Sequence, residues 1–238
     1  MPLLALIDAE DGREIAIRPE RLFLAGYTGR DRDSVLRHIE ELAAEGIPPP
    51  GRVPDVYPGV ADAVQVGGEL PAGRGWSSGE VEYVLLVTDY GTFVGVGSDH
   101  TDRELERTSV VTSKQAFPKI IGQRVWPLDS IASEWDDCML RSWLTMAGER
   151  HLYQDGSLGS LIAPHDLPGL LSPSDLRAGT VIFSGTVPAT MVAPKAGLIR
   201  FEGAIVRADG TPLMSCAYVY EAAPAHSAPE GRAAGRPE

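Results

Sequence analysis

Cysteine is scarce in this chain. Cys138 and Cys216 are the only two and stand far apart, which excludes a disulfide framework and zinc-type ligand spacing and makes a reducing cytoplasm the expected location. Positive charge is short as well. Against 33 Asp and Glu there are 21 Lys and Arg, a formal net charge of -12, so neither nucleic acid nor a membrane surface is an expected partner. No apolar run reaches the roughly 18 residues that mark a transmembrane helix. The opening through Ile7 lacks a basic flank and soon meets Asp8, Glu10 and Asp11, so no signal peptide is expected. There is no glycine-rich P-loop to cradle a phosphate, and no serine or cysteine nucleophile is expected. A wholly disordered chain is excluded too, because 43% hydrophobic content over 238 residues is ample for a core.

What is present concentrates between Ser78 and Arg107. Two apolar, β-branched runs, Val81 to Thr88 and Thr92 to Val96, flank Asp89-Tyr90-Gly91, which is a hairpin signal. Strand side chains alternate faces, so Glu80 and Glu82 point the same way. A turn at 89-90 sets Asp99 opposite Glu80, and a turn at 90-91 sets it opposite Glu82. Either register gathers three carboxylates, because opposed positions lie about 4.5–5.5 Å apart. Three such groups repel one another unless a cation joins them. An all-oxygen set suits Mg²⁺ or Mn²⁺, with Ca²⁺ possible, rather than Zn²⁺. The plainer reading makes Glu80 and Glu82 the wet face of an edge strand. Against it stands the polar run Ser98-Asp99-His100-Thr101-Asp102-Arg103-Glu104, which follows a Gly-x-Gly strand end and resembles a site loop.

Taken in order, Leu3 to Ile7 and Glu14 to Ile17 read as a hairpin around Asp11-Gly12. A buried segment from Phe23 ends on glycines, and a helix capped by Asp33 or Ser34 runs to Gly46. His38 and Glu41 sit three apart on that helix, either as a surface pair or as a base with its orienting carboxylate. Prolines punctuate residues 48 to 58, and Val64 to Val66 reads as a strand. A helix is expected over Ser133 to Trp143, a turn over Tyr153 to Ser157, a strand over Thr180 to Ser184, and a closing hairpin of Leu198 to Val206 with Met214 to Tyr220. The fold class is α+β and β-rich, with few short helices. It divides into an N-terminal segment, 1–70, a core, 71–221, and a tail, 222–238, whose Ala, Pro and Gly composition predicts disorder.

The ordered set H-x-x-E (His38, Glu41), E-x-E (Glu80, Glu82), S-D-H-T-D-R (Ser98 to Arg103), Lys114, Pro118 and G-T-V-I-F-S-G-T (Gly179 to Thr186) resembles the fumarylacetoacetate hydrolase family, and more closely its DUF2848 branch. The resemblance implies a mixed β-sandwich or β-roll. It implies a His38–Glu41 dyad, a Mg²⁺ or Mn²⁺ held by Glu80, Glu82 and Asp99, Lys114 in a lid-like loop, and Thr186 near substrate. It also implies that Gln154 lies in a Gln-x-Gly turn at the substrate, and that the protein is a homodimer. Departures are visible. Ser98 replaces the family's Asn, Glu104 replaces its second loop aspartate, and the usual insertion between Glu82 and Asp99 is missing. Tyr27 lies well before His38 rather than close to it.

The implied chemistry is metal-assisted hydrolysis or decarboxylation of a 2-oxo or 1,3-dicarbonyl acid. The cation polarises the developing enolate, Lys114 and Arg103 balance substrate charge, and His38 activates water. Two other readings are a carboxylate sensor that keeps the metal without turnover and a module that binds Ca²⁺ for stability alone.

Overall fold

The computed structural model describes residues 2–44, 46–71 and 75–222. The tail assigned to 222–238 lies outside them apart from Ala222. Its central feature is the hairpin read from the sequence. Val81–Thr88 and Gly91–Ser98 pair antiparallel, Thr88 against Gly91 and Val81 against Ser98, so Asp89 and Tyr90 make the turn. Of the two possible registers this one sets Asp99 beside Glu80, and the Asp99 N–H donates to the Glu80 carbonyl at 3.0 Å.

The hairpin is the middle of a sheet that has ten strands among the described residues. Beyond Val81–Thr88 come Thr180–Phe183, antiparallel to it, then Arg21–Gly26 and Asp55–Pro58. Beyond Gly91–Ser98 come Arg124–Pro127, Leu4–Asp8 and Glu14–Ile17. Lys119–Ile121 joins the end of Gly91–Ser98 and carries Val64–Val66 on its other side. Strands from residues 1–70 therefore share this sheet with strands from 71–221, and the boundary at residue 70 divides the chain rather than the core. A second, antiparallel sheet runs Glu149–Ser157, Met139–Met146, Gly197–Val206, Pro212–Ala222.

Period-two alternation gives the central sheet two cores. Tyr83, Leu85, Val94 and Val96 pack against Leu140, Leu144, Phe201 and Ile205 of the second sheet. Val84, Leu86 and Phe93 pack with Leu4, Leu6, Val125, Val181 and Phe183. Glu82 and Glu80 continue the alternation of Val84 and Leu86, so the face of this second core ends in acids. Opposite Glu82, Gly97 lets Lys119–Ile121 approach: a Cβ there would stand 2.5 Å from the Ile120 carbonyl oxygen.

Three local expectations fail. The helix expected over 133–143 is a 3-10 turn, Ala132–Asp137, followed by the strand Met139–Met146, in which Leu140, Ser142 and Leu144 alternate inward. The apolar spacing there mimics a helix, but pairing with Gly197–Val206 decides for strand. Residues 153–157 finish the strand Glu149–Ser157 rather than forming a turn. The helix Arg32–Ala44 is present, but its cap is Asp31, whose Oδ1 accepts from the N–H groups of Asp33 and Ser34 at 3.1 and 3.4 Å. Only Val35 of that helix is buried, so it lies on the surface of the sheets. Among the described residues no helix is long and apolar enough to cross a membrane.

Candidate active site

Glu80, Glu82 and Asp99 converge at the end of the hairpin, each offering one oxygen within 4.8 Å of the others. Glu82 and Asp99 are 1% and 0% exposed, and the strand Val81–Thr88 that carries Glu82 lies inside the sheet, so the wet-edge reading of E-x-E is overturned. The Phe183–Val84 pairing, carried two residues on, brings Gly185 to Glu82, and its N–H donates to Glu82 Oε2 at 2.8 Å. Gly185 has a φ of +84°, and a Cβ would meet Thr28 Oγ1 at 2.6 Å, so both backbone and space call for glycine. The other oxygen, Glu82 Oε1, is buried without a hydrogen-bond partner among the described residues.

Cations surround the acids. Lys114 Nζ contacts Asp99 Oδ2 and lies 3.5 Å from Glu80 Oε2. Lys119 Nζ lies 2.6 Å from Asp99 Oδ1 and donates to the His100 carbonyl at 2.6 Å. Arg103 pairs with Glu80 Oε1 and Glu106 Oε2 at 2.9 Å each, and with Ser78 Oγ at 2.7 Å. Burial and the Asp99 charge push the Glu82 carboxyl well above its usual range. Burial also raises Glu80 and Asp99, yet their cationic neighbours, Arg103 and Lys114 for Glu80 and Lys114 and Lys119 for Asp99, hold both below it. Burial lowers Lys114, but Asp99 and Glu80 lift it well above its ordinary value. Hard oxygen donors and an unpartnered buried carboxylate oxygen fit a divalent cation, whose charge would favour the ionised form of Glu82.

The remaining predicted residues fall into three groups. His38 lines the cavity that holds Glu80, Glu82 and Lys114, and its Nδ1 is 3.6 Å from Glu41 Oε2. Thr186 lines it too, its hydroxyl donating to the Val81 carbonyl at 2.5 Å. Lys114 is in the site but not in a lid loop: it is buried on the short helix Val110–Gln115, which Ser109 caps. Arg103 and Gln154 are engaged within the protein. Gln154 Oε1 accepts from Val81 N–H and Ser142 Oγ, both at 2.9 Å, and its Nε2 donates to Thr186 Oγ1 and the Val187 carbonyl, both at 2.8 Å. With every donor and acceptor position taken, it braces Thr186 instead of reaching substrate.

Lys119, Glu106 and Gly185 were not singled out from the sequence. A lysine opening the apolar strand Lys119-Ile120-Ile121 was the available signal, since a buried lysine needs an anion. One string matches a motif without its structure. Gly75-Trp76-Ser77-Ser78-Gly79 spells G-x-S-x-G, but Ser77 sits on a two-residue strand paired with Asp102, not on a strand-to-helix elbow, and its buried hydroxyl has no hydrogen-bond partner among the described residues.

A family model described as a protein of unknown function, DUF2848, matches residues 25–204. The chain belongs to the DUF2848 family. Among curated proteins no sequence matches it. Solved structures do resemble this DUF2848 chain. The fumarylpyruvate hydrolase from Pseudomonas aeruginosa, in complex with Mn²⁺ and pyruvate, superposes with a TM-score of 0.62 at 21% identity, over 93% of this chain and 97% of that one. A 2-keto-3-deoxy-D-arabinonate dehydratase gives 0.62 at 13% identity, over 88% and 76%. A yeast fumarylacetoacetate hydrolase family protein gives 0.59 at 15%, over 87% and 95%. At these identities the likeness is one of fold, and the fold is that of the fumarylacetoacetate hydrolase family.

Proposed function

We propose that this DUF2848 chain is a divalent-metal-dependent hydrolase or lyase of 2-oxo or 1,3-dicarbonyl carboxylic acids, acting by C–C hydrolysis or decarboxylation. The observation that carries this reading is the convergence of Glu80, Glu82 and Asp99, one oxygen of them unpartnered among the described residues, with Glu80 and Glu82 in the wall of a cavity that His38 also lines. These carboxylates would hold Mg²⁺ or Mn²⁺, which when bound supplies Lewis-acid polarisation of a substrate carbonyl. Lys114 balances the substrate carboxylate, and the Thr186 hydroxyl, braced by Gln154, marks the far wall. His38, oriented by Glu41, takes a proton from water. For a 2,4-dioxo acid the resulting hydroxide adds to C4 and the C3–C4 bond breaks. Its electron pair passes to C3, which is then protonated, leaving a carboxylic acid and a 2-oxo acid. Arg103 serves by fixing Glu80. The family resemblance supports a homodimer, and the scarcity of cysteine supports a reducing cytoplasm.

A panel of acylpyruvates, oxaloacetate and 2-keto-3-deoxy sugar acids is expected to contain a substrate whose turnover needs Mn²⁺ or Mg²⁺ and is inhibited competitively by oxalate. For that substrate His38→Ala should lower kcat by about 10²–10⁴-fold while Mn²⁺ affinity is unchanged. Oxalate binding with an inert panel would favour the carboxylate sensor. Failure of the Mn²⁺-loaded protein to bind oxalate would sink the enzyme reading.

A further inference from the structure

The cavity does not end at the carboxylates. A second lobe of about 310 Å³, equal in volume to the first, adjoins it through a waist that includes His38 and Leu42 of the surface helix, Glu80, and Thr186 to Pro188. Past the waist the wall is largely apolar, formed by Ile47, Trp76, Tyr153, Met191 and Ala193. Trp76 is held in place. Its Nε1–H donates to the Ala193 carbonyl at 3.2 Å, and the Lys195 ammonium stands 4.6 Å from its ring centroid.

The polar groups that reach this lobe are mostly committed elsewhere. Arg103 lies between Glu80 and Glu106, and Gln154 makes its hydrogen bonds within the protein. Arg107 also lines the lobe, but its side chain is exposed, where solvent weakens its field. A second carboxylate entering the lobe would give up water for a wall that already holds the Glu80 and Glu106 carboxylates and has no buried cation left unpaired among the described residues, whereas an apolar ring gains by burial.

We propose that the second lobe receives the chain beyond the substrate's second carbonyl, and that this chain is an uncharged, ring-sized apolar group. The favoured substrates are then aryl or branched-alkyl 2,4-dioxo acids rather than short or doubly charged ones. This rests on the reading of the first lobe given above. With the oxo-acid head at Glu80, Glu82 and Asp99 and the base at the waist, the scissile bond lies near His38 and the departing acyl group lies in the second lobe.

Oxamates test this without turnover, because they keep the head's two metal-facing oxygens and carry nitrogen where the cleavable carbon would be. The full chain loaded with Mn²⁺ is titrated calorimetrically with oxalate, N-methyloxamate, N-phenyloxamate and N-carboxymethyloxamate. N-Phenyloxamate is expected to bind at least about tenfold tighter than N-methyloxamate, as burial of a ring predicts, and with a more negative heat-capacity change. Trp76→Ala and Met191→Glu should each erase that gain and leave oxalate affinity as in wild type. A phenyl tail that gains nothing overturns the inference while the first-lobe reading stands. So does a carboxymethyl tail that binds tightest and loses its advantage in Arg107→Ala. If oxalate and every oxamate fail to bind, the first-lobe reading falls and this inference falls with it.

Discussion

Glu82 concentrates the electrostatics of the site in one side chain. Burial and Asp99 raise its carboxyl well above the ordinary 4.5, so without metal the folded state holds a proton there that the unfolded chain has released. The folded state then binds more protons than the unfolded one, and stability falls as pH rises from about 4.5 through the raised value. Saturating Mn²⁺ requires the ionised form and reverses the trend. Melting curves from pH 5 to 8 should therefore show wild type losing stability with pH in EDTA relative to Glu82→Gln, and a Mn²⁺-induced shift that grows with pH. Parallel wild-type and mutant profiles in EDTA would contradict the assignment. Lys119 is the second residue to test. Its ammonium fixes Asp99 Oδ1 against the His100 carbonyl, so Lys119→Met should free Asp99 to rotate and weaken Mn²⁺ about tenfold, the lower end for lost support of a ligand. An unchanged or tighter Mn²⁺ affinity would show that Lys119 only neutralises charge. At this scale the acids were legible, because period two and a short turn fix where three carboxylates meet. Two of their supports were not, since Lys119 opens the strand Lys119–Ile121 and Gly185 follows the strand Thr180–Phe183, and the local sequence does not encode how either strand pairs.

The helix Arg32–Ala44 is the element most exposed to perturbation. It carries His38 yet buries only Val35, so its stability depends on local features such as the Asp31 cap. Asp31→Ala should cost about 1 kcal/mol, read as faster amide exchange over residues 35–42 with little change in the global melting temperature. A global loss of several degrees would mean that the helix is part of the cooperative core. This helix was legible because cap, period and the Gly46 stop agree, although the cap lies two residues earlier than Asp33. Met139–Met146 was misread for the opposite reason. Trp135, Met139, Leu140 and Trp143 satisfy a helical period by coincidence, and the alternation through Ser142 and Leu144 emerges only when Gly197–Val206 is known to lie alongside.

At the scale of the molecule, the chain places one hairpin between two apolar cores and uses its acidic end as part of the wall of a cavity. The β-rich class followed from many short alternating runs. The order of ten strands did not, because Arg21–Gly26 pairs with Thr180–Phe183 from the far end of the chain, and nothing local in either strand names the other. The segment 1–70 accordingly proved to be part of the sheet that bears the site. The central claim is that Glu80, Glu82 and Asp99 hold one divalent cation, and thermal unfolding with Mn²⁺ tests it most directly. At about 100 times its Kd a ligand stabilises by about 2.7 kcal/mol, or about 5–10 °C for a chain of this size. Wild type should show that rise over EDTA, and Glu82→Gln and Asp99→Asn should lose most of it. A Mn²⁺ shift of equal size in both variants and wild type, or none in wild type, would contradict the account.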